Sequence, residues 1–434
     1  MKIGKFCERF GVSPTTVRFY IRIGLLAPNK KNSQYNFTAS DIAEMEGICK
    51  LKELSFNLDE IKQYLQIIRM YDIRDDGIRE HLLPLYEKKQ ESLEKDIASI
   101  RASIQVLQSE IEKLHMEKAA ASFFSGIPLD FSPYLACPNC GSLFDLSELQ
   151  VRENKIYSGK LRCQCGYSAL IEDGILMAAP ESDYYQSEEF QVMHYQQIQD
   201  EGADFVFFEY MNDISAEATS MIYKSYLWID GVLAPYSFRN KVIFVPDLSS
   251  HFLYKHIKRP YFKDAFIIVS GFSKETIVSI KSHIDRIAPD AKIIYIANTI
   301  YALPIQKNLI DLWIDTISSY NFSFFHKESL YKKIDPYIKE GAKAAGLTKY
   351  YERGSKSLAN IGKRYPNVME EQSLLSAFKR LVESLGWKFR KESLTGEVFD
   401  PGPYYEYHAQ GDKHCYYSFF AEKVQEGQKD GVPD

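Results

Sequence analysis

The sequence predicts a multidomain chain: an all-α head carried on a long helix, then a small cysteine-rich module, then an α/β C-terminal domain. Three observations support this. Four helix-like segments fill residues 1–70 and a heptad run follows them. Four cysteines are grouped between 137 and 165. From about residue 184, short apolar runs alternate with helical ones. A length of 434 residues suits about three domains. The 45% apolar and 26% charged content is that of a globular protein.

The first segment runs from about Ile3 to Phe10 and stops at Gly11. Ser13 caps the second, with Pro14 at its first position, where a missing N–H costs nothing. That helix carries Val17, Tyr20 and Ile21 and ends near Gly24. The polar stretch 28–33, followed by Gln34-Tyr35-Asn36-Phe37, reads as a short hairpin, or wing. Thr38 or Ser40 caps a third helix through Ile42, Met45, Ile48, Leu51 and Leu54. Asn57 caps a fourth through Ile61, Tyr64, Leu65 and Ile68.

Two helices joined by a tight turn, the second presenting short polar and basic residues, suit the major groove of DNA. Thr15, Thr16 and Arg18 lie within one turn, and Arg22 follows one turn later. Arg18 and Arg22 are expected to contact phosphates or a guanine edge, and Tyr20 to reach a phosphate with its hydroxyl. Lys30 and Lys31 on the wing, beside Tyr35, would follow the backbone. The alternative is a helix-turn-helix that contacts another protein. Residues 1–75 hold twelve Lys/Arg and nine Asp/Glu, so a mildly basic head precedes an acidic body in a chain of net charge -5.

From about Ile78 to Lys118 one long helix is expected. Leu93, Ile97, Ile100, Ile104, Leu107, Ile111 and Leu114 recur at alternating intervals of four and three, a heptad seam that implies a dimerising coiled coil. The alternative is a lone amphipathic helix packed on the body. The head is therefore set at residues 1–75, the coiled-coil helix at 76–118 and a linker at 119–133.

The head and its helix resemble the MerR family of regulators. Gly11-Val12-Ser13, Thr16-Val17-Arg18-Phe19-Tyr20, Gly24-Leu25-Leu26 and Leu54-Ser55-Phe56-Asn57-Leu58-Asp59-Glu60-Ile61 follow the family pattern in order and spacing. The resemblance implies a homodimer with two winged heads, promoter DNA and RNA polymerase as partners, and activation by distorting a promoter whose spacer is too long. The sequence departs from the pattern in the wing, at Gln34 and Tyr35, and at Ile21, where an acidic residue usually precedes Arg22.

Cys137-Pro138-Asn139-Cys140-Gly141 and Cys163-Gln164-Cys165-Gly166 form two knuckles. Four thiolates from two tight turns suit a tetrahedral zinc site, and each Gly permits the bend. The stretch 145–162 between them can form a hairpin, so residues 134–178 read as a zinc ribbon. With Cys at all four positions the zinc would be structural, and iron–sulfur binding is the alternative. No His pair among His194, His251, His326, His408 and His414 has a close metal-ligand spacing, and none is assigned a catalytic role.

Residues 184–424 carry the apolar runs 242–245, 266–269, 292–296 and 309–314, with a helix at 273–287 between two of them. This alternation predicts a mostly parallel sheet covered on both faces. A ribbon followed by Asp173-Gly174-Ile175 and such a domain resembles class I methyltransferases (Rossmann-like) that carry an N-terminal zinc ribbon. The cofactor signals of that fold are absent. The first strand leads into Val245-Pro246-Asp247-Leu248-Ser249-Ser250-His251-Phe252 without glycine, the second ends Val269-Ser270-Gly271-Phe272, and Asn298 follows the third. S-adenosylmethionine is therefore not expected to bind. No catalytic residues are assigned, and the domain reads as a degenerate methyltransferase-like sensor of an unknown small-molecule effector.

Its ligand would lie at the C-terminal ends of the strands, near Asp247, Ser249, Ser270, Asn298, Ser318 and Tyr320, with Phe252, Phe272, Tyr301 and Phe322 lining the cleft. The alternatives are an active S-adenosylmethionine-dependent methyltransferase with a DNA-binding head, and a constitutive architectural dimer. The 14% aromatic content, most of it beyond residue 180, fits a Tyr-rich core or an aromatic pocket. Residues 425–434 read as a disordered tail. The sequence contains no apolar run of transmembrane length and no signal-peptide core, so a cytoplasmic protein is expected.

Overall fold

A computed structural model describes residues 1–31, 34–70, 76–118, 125–179, 210–324, 326–365, 368 and 373–424. They divide into two units, Met1–Ala120 and Ala121–Asp434. The expected tail at 425–434, the start of the C-terminal domain at 184–209 and the wing tip at 32–33 lie outside the described residues.

In the first unit, helix α1 (Ile3–Phe10) ends at Gly11, whose φ of 62° is the left-handed conformation that a side chain would oppose. The Ser13 hydroxyl accepts the N–H of Thr16 at 3.0 Å and starts α2 (Pro14–Arg22). Strands β1 (Asn29–Lys31) and β2 (Gln34–Asn36) pair antiparallel, with Lys30 opposite Tyr35, and form the wing. Thr38, rather than Ser40, caps α3 (Ala39–Glu53), because Asp41 closes a capping box with it. Asn57 and Glu60 form a second such box at the start of α4 (Leu58–Met70). Phe6, Val17, Leu25, Leu26, Phe37, Ile48, Leu51 and Ile61 are buried together. Arg69 ties three elements of the head. Its guanidinium donates to Glu44 on α3 and to the carbonyls of Gly24 and Leu25 beyond α2, at 2.7–3.0 Å.

Helix α5 (Asp76–Lys118) continues this unit for 43 residues, with Pro84 inside it. Its first turns belong to the head: Leu85 and Tyr86 pack on the head core, and Lys89 pairs with Glu60 at 3.0 Å. Further along, Ile97, Ile100, Ile104, Leu107 and Ile111 are 47–61% exposed. A row of five large apolar side chains on one stripe, facing water, is a surface without its partner.

The second unit is built on one sheet of twelve strands. Its strands are β3 (Ile127–Pro128), β4 (Asp145–Arg152), β5 (Lys155–Arg162), β6 (Ser168–Glu172), β7 (Ile175–Met177), β8 (Val242–Pro246), β9 (Phe266–Ser270), β10 (Lys292–Ala297), β11 (Ile310–Thr316), β12 (Ile338–Tyr350), β13 (Trp387–Val398) and β14 (His414–Lys423). The spatial order is 13-14-12-11-8-9-10-7-6-5-3, with β4 paired to β5. From β12 to β7 all neighbours are parallel, whereas β14 runs antiparallel to both β12 and β13. Every residue of β8 and β9 is buried, as two-sided strands require. Alternate residues feed opposite cores: Phe244, Ile268 and Ile294 on one face, Ile243, Ile267 and Ile293 on the other. Helices α6 (Ala216–Leu233), α7 (His251–His256) and α8 (Lys274–Ile287) contribute Ile229, Phe252 and Ile284 to the second core.

Two expected boundaries are corrected. Residues 127–134 are not linker but strand β3 and a 3-10 turn, with Ile127 and Phe131 fully buried. Apolar residues fixed that segment where its Gly and Pro content suggested a loop. The cysteine module is not a separate domain either. Strand β7 pairs in parallel with β10, from Ile175↔Tyr295 to Met177↔Ala297, and so joins the module edgewise to the parallel sheet. The bend before β7 needs Gly174. Its φ is 75°, and a Cβ there would stand 2.3 Å from the Ser125 carbonyl oxygen. No helix among the described residues is long and apolar enough to cross a membrane.

Candidate functional site

On α2, Thr15, Arg18 and Arg22 are exposed, as is Lys30 on the wing. Thr16 is half-buried, and its hydroxyl meets that of Ser13 at 2.8 Å. The Arg22 guanidinium lies 5.2 Å from the Phe19 ring and the Lys30 ammonium 4.9 Å from the Tyr35 ring, so aromatic faces support two of the cations. Lys31 lies on β1, its side chain outside the described residues. Tyr20 is corrected. Three residues after Val17, it turns inward with it, is 4% exposed and packs in the head core, with the Lys52 ammonium 5.7 Å above its ring.

The cysteine knuckles meet as expected. The sulfurs of Cys137, Cys140, Cys163 and Cys165 all lie within 4.8 Å of one another. The Cys137–Cys165 and Cys140–Cys163 separations are 3.5 and 3.3 Å, too long for disulfides. A tetrahedral ion with metal–sulfur bonds of about 2.3 Å places its sulfurs about 3.8 Å apart, which this group accommodates. Gly141 and Gly166, at φ 76° and 91°, turn the two knuckles back, each N–H returning to the carbonyl of its first cysteine at 2.8 and 3.0 Å. The Ser142 hydroxyl and amide beside Cys140 lower its thiol, whereas burial raises that of Cys137. The four cysteines are compatible with zinc.

At the expected ligand cleft the structure brings two predicted residues together and turns both inward. The strand order reverses between β8 and β11, the usual ligand crevice of such sheets. There Ser249 and Ser318 are buried and join their hydroxyls at 2.7 Å. The Ser249 oxygen also accepts the Thr316 N–H at 2.8 Å. Ser318 accepts the Ser249 N–H at 3.0 Å and donates to the Pro246 carbonyl at 2.7 Å. These bonds close the crevice between the turn after β8 and the end of β11.

The other predicted ligand residues are dispersed. Ser270 is buried against the Ile300 carbonyl at 3.4 Å, Asn298 donates to Ala178 at 3.2 Å, and Tyr320 meets Tyr407 at 3.3 Å. The side chain of Asp247 lies outside the described residues. Phe252 and Phe322 are core, whereas Phe272 and Tyr301 are partly buried. Ser249 was expected to line a cleft; it lies in the 3-10 turn that follows β8, and its hydroxyl is taken up by Ser318 and the Thr316 N–H.

Two features at this crevice carry no sequence signal. Ile317, a β-branched residue, holds φ 82° between Thr316 and Ser318, so strain is stored at the switch. Asp315 is 2% exposed and accepts the Ser319 N–H at 3.0 Å, and burial pushes its carboxyl up to about 6. An isoleucine gives no sign of a positive φ, and an aspartate none of burial.

Residues 1–67 match the model of the MerR HTH family regulatory proteins. The HTH-type transcriptional regulator YfmP of Bacillus subtilis (strain 168) is 30% identical over 129 residues, which span 28% of this chain and 92% of that protein. The mercuric resistance operon regulatory protein of Shigella flexneri is 30% identical over 125 residues, 28% of this chain and 82% of that one. Among solved structures, a putative sarcosine dimethylglycine methyltransferase from Galdieria sulphuraria is similar with a TM-score of 0.38 and 10% identity, over 46% of this chain and 86% of that one. A putative methyltransferase from Bacillus halodurans C-125 gives 0.36 and 8%, over 46% and 99%.

The raised Asp315 value has a definite sign. Its folded value of about 6 exceeds the ordinary 3.8, so folding takes up a proton between these limits, and stability falls as pH rises through that window. Asp315→Asn keeps an acceptor for Ser319 without the charge. It is expected to raise the unfolding free energy of the second unit at pH 7.5, read from urea melts, by about 1–3 kcal/mol, and to flatten its pH dependence between pH 4 and 6. An unchanged pH profile would contradict this.

Proposed function

Because the chain belongs to the MerR family of helix-turn-helix regulatory proteins, we propose that it is a dimeric cytoplasmic transcription regulator that distorts promoter DNA under the control of a small molecule held by its second unit. The observation that carries this reading is the head: a capped α2 with Thr15, Arg18 and Arg22 exposed, followed by a paired wing with Lys30 opposite Tyr35. Arg18 and Arg22 are the base- or phosphate-contacting residues, and Lys30 and Lys31 follow the backbone.

The exposed stripe from Ile97 to Ile111 is the dimer seam, closed by the same stripe of a second copy. Two heads then meet two half-sites, and a bend between them costs energy that depends on the intervening sequence. The four-cysteine group holds a structural zinc ion: with every position filled by Cys, no open coordination site is left for catalysis. The closed crevice between β8 and β11 supports a sensor rather than a methyl-transfer enzyme. An effector acts by binding one of two head arrangements more tightly than the other.

Arg18→Ala is expected to weaken promoter binding by about 1–3 kcal/mol and to relax base preference at its position, as read by fluorescence anisotropy on an operator series. Unchanged affinity across the series would contradict the role. Ile104→Glu is expected to shift sedimentation from dimer to monomer and to abolish paired half-site binding; a dimer that persists would remove the seam. Elemental analysis of the purified chain is expected to find about one zinc per chain, lost in Cys163→Ser. Iron with visible absorbance would favour a cluster instead.

A further inference from the structure

A second group of buried polar side chains lies at the C-terminal ends of the parallel strands, beside the closed crevice. Lys349 near the end of β12 pairs directly with Tyr416 on β14, so the two side chains stand on one face of the sheet, and His414, two residues from Tyr416, stands on that face as well. Lys349 is 2% exposed and His414 fully buried. The Lys349 ammonium donates to the Tyr405 hydroxyl and lies 4.8 and 5.4 Å from the Tyr405 and Tyr416 rings. No carboxylate pairs with it among the described residues. The His414 ring stacks on Tyr351 at 4.8 Å, and neither of its nitrogens has a hydrogen-bond partner.

A buried cation without a counter-ion and a buried imidazole with two unused nitrogens are both costly. The same buried cluster holds the rings of Tyr320, Phe324, Tyr351 and Tyr407 beside aliphatic Leu347 and Val398, with the Tyr351 hydroxyl meeting His408 at 3.1 Å. The outer wall is the connection 399–413, which turns Tyr405 and Tyr407 inward and leaves Tyr404 and Glu406 outside. It is fastened by Asp412 to Ser357 and by Asn360 to the Tyr407 carbonyl.

From this geometry we infer that the buried cluster around Lys349 and His414 is the effector site, and that it takes a small aromatic carboxylate in place of the inward-turned Tyr405 and Tyr407, with the connection 399–413 lifting to admit it. This rests on the sensor reading above and assigns its ligand. One ammonium balances one negative charge, which favours a monoanion over a phosphate dianion. The imidazole and phenol groups hydrogen-bond the carboxylate, and the surrounding rings take the flat apolar body. The charge recognised is therefore opposite to that of a cationic ligand, which Lys349 would repel.

The test is calorimetry on the full chain with salicylate and with its uncharged counterpart salicylamide as probes. Salicylate is expected to bind, salicylamide about tenfold or more weaker, and Lys349→Met to lose about 10- to 100-fold of the salicylate affinity, as expected for a charge-assisted bond. Burial lowers Lys349 to about 7, and among the described residues His414 and the phenols of Tyr405 and Tyr416 face it, so at pH 8 anion binding should draw a proton onto it. The binding enthalpy should then differ between buffers of different ionisation heat.

Equal binding of the two probes, unchanged affinity in Lys349→Met, or no salicylate binding at millimolar concentration would each overturn the assignment. If Lys349→Met does not fold, the two probes and the buffer dependence on the native chain decide. A promoter assay against a wider compound set separates the two readings. Failure of salicylate with a response to another compound removes only this ligand class, whereas no response to any compound removes the sensor.

Discussion

The second unit depends on one strand pairing. Parallel bonding of Ile175–Met177 to Tyr295–Ala297 turns two would-be modules, a cysteine ribbon and a doubly wound core, into one sheet. Around that seam the contacts accumulate. Ala178 donates to the Ala297 carbonyl and accepts from Asn298, and Ala136 donates to Pro304. Asp285, on the helix before β10, is reached by Ser125, Lys281 and Tyr295. An edge strand left open at β10 would present a six-residue, mostly apolar template for aggregation, and the ribbon covers it.

The same sheet explains why the expected crevice and the buried polar cluster lie side by side. In a doubly wound sheet the strand ends around the order reversal form the natural cleft. Here Ser249 and Ser318 span it, and the buried Lys349 and His414 lie further along the sheet, where β14 returns antiparallel beside β12. The aromatic rings that composition placed in the C-terminal half are divided between these regions. Phe252 and Phe322 fill cores, whereas Tyr351, Tyr405 and Tyr407 surround Lys349 and His414.

The head was legible almost residue by residue, because its signals are local: Gly11 needs a positive φ, Ser13 and Asn57 cap the helices they precede, and apolar spacing marks each helix. The one misplaced contact residue, Tyr20, shows the limit of a helical face read by residue type, since the period of 3.6 puts it beside Val17 in the core. The knuckles were legible because a metal site needs fixed residue types at short spacing. The ligand region was not. Its groups come from β8, β11, β12, β14 and the connection before β14, and only the sheet order brings Lys349 opposite Tyr416 and onto the face of His414. The Arg69 staple and the fusion of ribbon to sheet are likewise contacts between distant stretches of chain, which spacing does not reveal.

The β7–β10 seam also sets an order in time. Synthesis delivers the cysteine knuckles and β7 long before Tyr295 leaves the ribosome, so β7 must wait without its parallel partner while the intervening chain is made. A metal ion drawn to four thiolates that are already close in sequence can hold the ribbon in shape through that interval, and the late strand then docks on a prepared edge.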